Sequence, residues 1–141
     1  MNPKYIKSIA RGLAVIILVT VVSGLSLPAY AAPGDLTRVS VNSSGAQADG
    51  GSNRGRLSAD GRFVAFASGA TNLVPDDTNN TEDVFVHDRQ TGATTRVSVR
   101  TNGSQANGSS VSPAISGDGR FVAFYSDASN LVGRDTNGCA D

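Results

Sequence analysis

The chain contains one segment written twice. Thr37-Arg-Val-Ser-Val41 recurs as Thr95-Arg-Val-Ser-Val99. Asp60-Gly-Arg-Phe-Val-Ala-Phe66 recurs as Asp118-Gly-Arg-Phe-Val-Ala-Phe124. Asn72-Leu-Val74 returns as Asn130-Leu-Val132, and Asp77-Thr-Asn79 as Asp135-Thr-Asn137. Every pair is offset by 58 residues, and between 37–83 and 95–141 roughly 27 of 47 positions match without a gap. A period of this length means one supersecondary unit used more than once, each copy burying its apolar face against the next.

The unit reads as four strands. Residues 56–58 form a short first strand, and Asp60-Gly61 is the tight turn after it, where glycine supplies the positive φ of a hairpin. Residues 62–68 form the second strand. Phe63, Val64, Ala65 and Phe66 are apolar in succession, so both of its faces are expected to be covered. Asp83–Asp88 is the third strand, with Val84 and Val86 on one face and Phe85 and His87 on the other. Arg89-Gln-Thr-Gly92 is a hairpin loop. Residues 94–99 are the fourth strand, with Val97 and Val99 expected inward and Arg96 and Ser98 outward. An Asn/Asp/Thr-rich loop, 69–82, separates strands two and three, and a polar stretch, 100–110, separates the units.

A four-stranded antiparallel unit whose second strand is apolar on both faces needs a neighbour on each side, as in an open stack or a radial propeller. Ser58-Ala-Asp-Gly-Arg-Phe-Val-Ala-Phe66 and Ser116-Gly-Asp-Gly-Arg-Phe-Val-Ala-Phe124 resemble the WD40-like repeat of TolB-type β-propellers. In that motif Ser-Pro-Asp-Gly precedes a basic residue and an apolar strand; here Ala59 and Gly117 replace the proline. The resemblance covers about residues 36–141 and implies an all-β fold of four-stranded antiparallel blades, one complete and the others partial. The repeat is longer than in that family and carries the Asn/Asp loop, so the fold transfers and the family's envelope role does not. Gly61 follows Asp60 directly, which does not fit the Asp-box of sialidases.

Residues 1–31 form a separate segment. Lys4, Lys7 and Arg11 precede the apolar run 13–27, Pro28 ends it, and Ala29-Tyr-Ala31 is a small-x-small site. This is the pattern of a secretory signal peptide, cleaved after Ala31. The competing reading is an uncleaved membrane anchor, disfavoured because the run is shorter than the roughly 20 residues that span a bilayer; after cleavage no stable membrane span is expected. The expected mature protein is exported to the periplasm or the cell exterior as a partial propeller, residues 32–141, with repeat units at 37–94 and 95–141. It retains nine arginines and twelve acids, a charge of about −3. That balance lacks the basic footprint of a nucleic-acid binder. Its units are incomplete: 36–41 matches a fourth strand with none before it, and Asp141 stands where a third strand begins. The expectation is either a truncated product or a piece that assembles with further copies through its open blade edges.

The candidate sites are few. Asp77-x-Asn79-x-Thr81-x-Asp83 offers an oxygen at every second position, the pattern by which a loop collects Ca²⁺ ligands. It lacks the glycine and terminal bidentate glutamate of an EF-hand, and the competing reading is a loop of Asx turns. Asp135, Asn137 and Asp141 repeat the frame with Cys139 in place of Thr81. No other cofactor is expected. His87 is the only histidine; no serine stands in a Gly-x-Ser-x-Gly elbow and Asp88 points to the opposite face, so His87 reads as a strand residue at a blade surface rather than a catalytic base. Cys139, the lone thiol, has no base to activate it. Arg62 and Arg120 begin equivalent strands, Arg38 and Arg96 sit in another equivalent pair, and all four are expected to pair with carboxylates within or between blades. The combined expectation is a non-catalytic module binding a protein or a glycan. The alternative is a fragment of a propeller enzyme, such as a polysaccharide lyase or a peptidase-associated propeller.

Overall fold

The computed structural model describes residues 36–133. Residues 1–31, read above as a signal peptide, Cys139 and the second Asp/Asn loop at Asp135, Asn137 and Asp141 lie outside the described residues. Within them the fold is all-β. The strands are β1 (Ser52–Leu57), β2 (Phe63–Ser68), β3 (Asp83–Asp88), β4 (Thr94–Arg96), β5 (Ser110–Ile115) and β6 (Val122–Ser126). An antiparallel sheet of order β1-β2-β3-β4 is followed by the antiparallel pair β5-β6.

Local chemistry sets each connection. Gly61 at φ 68° turns β1 into β2, and Ser58 Oγ bonds Asp60 Oδ1 at 2.5 Å to hold the turn. Gly92 at φ 77° closes the β3–β4 hairpin by donating to the Asp88 carbonyl at 2.8 Å. β1 starts at Ser52 rather than at 56, because a bulge interrupts its alternation. The bulge carries Arg54 at φ 55°, and the equivalent Ser112 in β5 has φ 54°. The two repeats superpose in register: Ser52↔Ser68 and Leu57↔Val64 in the first become Ser110↔Ser126 and Ile115↔Val122 in the second.

β2 is covered on both faces, as its unbroken apolar run predicts. On one face Phe66 stacks on its cross-strand partner Phe85 at 5.8 Å, and both pack with Ala70 and Leu73 of the following loop and with Ala48. On the opposite face, that of Phe63, Ala65 and Ala67, lies β5 of the second unit. The turn of that unit sits so close that a Cβ at Gly119 would collide with the Phe63 ring. Gly50 and Gly108 mark a second repeated approach, where a Cβ would stand 2.7 and 2.8 Å from the carbonyl oxygens of Gly69 and Asp127.

Three sequence expectations need correction. Arg96 and Ser98 point inward: Ser98 is fully buried and the Arg96 side chain retains 10% of its exposure. The inward row of this segment is Thr94, Arg96 and Ser98, because the fully buried Asp83 carboxylate on β3 needs donors opposite it. β4 accordingly stops at Arg96 instead of running to Val99. The repeat predicts that Phe63, Phe66, Phe121 and Phe124 are all largely buried; Phe121 is instead exposed and Phe124 only half-buried, unlike the buried Phe66. No following unit packs on β6 among the described residues as β5 packs on β2. Residues 36–41 form no strand, since no β3-like partner lies beside them among the described residues; Val41 keeps the isolated bridge to Gln47 that Val99 makes to Gln105.

Candidate functional site

The loop between β2 and β3 brings Asp77 and Asp83 together beneath β4. Gln105 Nε2 donates to Asp77 Oδ1 at 2.7 Å and to Asp83 Oδ2 at 3.1 Å. Ser98 Oγ donates to Asp83 Oδ1 at 2.6 Å. Asn79 Nδ2 donates to Asp83 Oδ2 and to the Ala106 carbonyl, both at 3.0 Å. The guanidinium of Arg96 lies 3.3 Å from Asp77 and 3.6 Å from Asp83 through Nη1. These contacts are ionic and not aligned hydrogen bonds: Arg96 Nη1 and Nε and Thr81 Oγ1 have no hydrogen-bond partner. Burial raises the Asp77 pKa, and the charge on Asp83 adds to the rise; the Gln105 hydrogen bond and Arg96 oppose it.

Of the four loop residues singled out as Ca²⁺ ligands, Asp77 and Asp83 thus face a common centre. Asn79 meets that centre with its amide nitrogen. Its oxygen accepts from the Thr81 N–H at 3.1 Å, an Asx turn. No group of three or more His, Cys, Asp or Glu side chains among the described residues is arranged to hold a metal ion. The positive charge between the two carboxylates is the guanidinium of Arg96. Pairing of Arg96 with a carboxylate was expected, but that its partners lie in this loop, and that Ser98 and Gln105 join them, was missed in the sequence. The signal was available, since all three recur 58 residues earlier as Arg38, Ser40 and Gln47.

His87 is buried rather than placed at a surface, and its Nδ1 lies 2.9 Å from Thr94 Oγ1. Thr94 sends its own proton to the Val41 carbonyl at 2.5 Å, so Nδ1 carries the hydrogen donated to Thr94. That pair ties β3 and β4 to the N-terminal segment and leaves no hydroxyl proton for the imidazole to take. Burial lowers the His87 pKa; Asp88 opposes the shift and Arg89 adds to it. Asp88, on the other face, forms a two-pronged pair with Arg62, Nε to Oδ1 at 3.0 Å and Nη2 to Oδ2 at 2.7 Å. Chiefly through these bonds its carboxyl is held well below the usual range.

A different feature emerges on β6. Phe121, just before this strand, and Ala123 and Tyr125 along it are exposed, the two aromatics at 66% and 64%. Their counterparts in the first unit, Phe63, Ala65 and Ala67, are half-buried or buried. Arg120 stacks 5.5 Å above the Phe121 ring, as Arg62 does above Phe63 at 4.7 Å. The row is thus an apolar strand face framed by a cation, on a strand paired along one edge only among the described residues. Among the described residues, no helix is long and apolar enough to cross a membrane. No family model matches the chain, and neither a curated protein nor a solved structure matches it.

Proposed function

We propose that this chain is a non-catalytic binding module of an exported, propeller-like repeat protein, and that it binds a protein through the β6 face. The observation that carries the reading is the exposed row Phe121, Ala123 and Tyr125, on a face that is covered in the equivalent unit. A row of this kind rimmed by polar residues marks an interaction surface. A protein partner is favoured over a glycan because the element on the equivalent face of β2 is itself a strand and its turn. A non-catalytic role is supported by His87, Asp77, Asp83 and Asp88, whose polar atoms are engaged in holding strands together. Export is supported by the pattern of residues 1–31.

The test compares wild-type chain with a Phe121→Asp/Tyr125→Asp double variant as immobilised bait. A protein that binds the first, fails on the second, and rebinds wild type after purification supports the reading. Phe121/Tyr125-dependent binding of oligosaccharides alone would assign a glycan instead. Turnover of peptide or polysaccharide substrates by the wild-type chain would overturn the non-catalytic assignment.

A further inference from the structure

We infer that the partner of the β6 face is a second copy of this chain, docked head to tail through its β1 and its Ser58–Gly61 turn. The inference rests on the reading of that face as a binding surface and names its occupant. The template is the contact between the two units within one chain. There, β5 and the Ser116–Gly119 turn lie on the face of β2. Gly119 seats the Phe63 ring, the Ala59 N–H donates to the Gly117 carbonyl at 2.9 Å, and Arg54 Nη1 bonds Ser112 Oγ across the paired bulges. The Ser110 N–H donates to the Glu82 carbonyl at 2.7 Å.

Both halves of this contact occur a second time, 58 residues away, and there both are open among the described residues. The receiving row Phe63, Ala65 and Ala67 becomes the exposed Phe121, Ala123 and Tyr125. The inserting surface, β5 with its turn, becomes β1 with Ser58–Gly61. Every β1 residue is exposed, Leu57 at 60%, whereas its counterpart Ile115 is half-buried and Pro113 of β5 is buried. Gly61 shares the positive φ of Gly119, and its ideal Cβ would meet nothing closer than Arg89 Nη1 at 3.7 Å. It is free to seat the Phe121 ring of another copy as Gly119 seats Phe63. Tyr125 adds bulk where the first unit has Ala67, and Gly55 removes it where β5 has Pro113. One end of the molecule therefore presents the insert and the other the receiver, which makes the association heterologous rather than two-fold.

Sedimentation of the purified chain over the micromolar range tests this, with Leu57→Arg blocking the inserting end and Tyr125→Arg the receiving end. The wild type is expected to gain mass with concentration, as a discrete ring or a growing filament. Each variant alone is expected to stay monomeric. Their equimolar mixture is expected to form a species of twice the monomer mass, because each retains the end that the other lacks. A wild type that stays monomeric overturns the inference, as does continued growth of either variant alone or a mixture that fails to pair. Circular dichroism checks that both variants fold. Should either unfold, hydrogen exchange on the wild type decides: protection of 58–61 and 121–125 that rises with concentration supports docking, and its absence overturns it. A monomeric wild type that still captures another protein through Phe121 and Tyr125 loses the head-to-tail inference and keeps the binding function. One that does neither loses both.

Discussion

Arg96 is the residue on which the β2–β3 loop depends. It supplies the cation to a pair of buried carboxylates that otherwise repel each other. A buried charge without its partner costs several kcal/mol, so Arg96→Leu is expected to destabilise the chain by about 3–5 kcal/mol in denaturant titration. Melting with and without a chelator decides which cation serves Asp77 and Asp83. With the guanidinium at 3.3 and 3.6 Å, the expected outcome is an unchanged Tm. A drop on chelation that Asp77→Ala abolishes would place Ca²⁺ in the loop, because an ion bound only to the folded state raises its stability. His87 provides a second residue-level test. Its pKa is depressed in the fold, so the unfolded chain takes up the proton first as pH falls. The stability it contributes is present above the ordinary imidazole value of about 6.5 and is lost as pH falls toward the depressed value. Tm is therefore expected to decline from pH 7 to 5, and His87→Gln to remove that part of the slope.

Among the elements, β2 and β6 have nearly the same sequence and different surroundings. Phe66 stacks on Phe85 inside the core, so Phe66→Ala is expected to cost about 3–5 kcal/mol. Phe121 points into solvent, so Phe121→Ala, measured at a dilution where the chain is monomeric, is expected to stay within about 0.5 kcal/mol. Equal losses at the two sites would contradict the exposed β6 face. The strands themselves were legible: Asp83–Asp88 has the bounds that its flanking turns predict, and β2 is one residue shorter than expected. β1 was half hidden, because a residue at φ 55° breaks the alternation on which strand reading rests. β4 was assigned the wrong inward row, because alternation alone favours Val97 and Val99 for burial. A buried carboxylate one strand away has the stronger demand.

Across the whole molecule, the two units are joined where Gly119 meets Phe63. Gly119→Ala forces both an unfavourable φ and a collision, whereas Gly61→Ala, at nearly the same φ, forces only the first. The backbone penalty is about 1–2 kcal/mol at either site. Any excess at Gly119 measures the packing between units, and equal losses in denaturant titration of the monomer would mean that the units hardly depend on each other.

The sequence by itself determined the period, the antiparallel units, the turns at Gly61 and Gly92 and the two-sided burial of β2. Each is local, set by glycine φ, by the alternation of side chains or by an unbroken apolar run. Only the tertiary structure decided that Arg96 and Ser98 serve Asp83, and that Phe63 meets a glycine while Phe121 meets water. Those outcomes depend on which unit lies against which face. Identical segments cannot encode that difference, because it comes from what each one finds beside it.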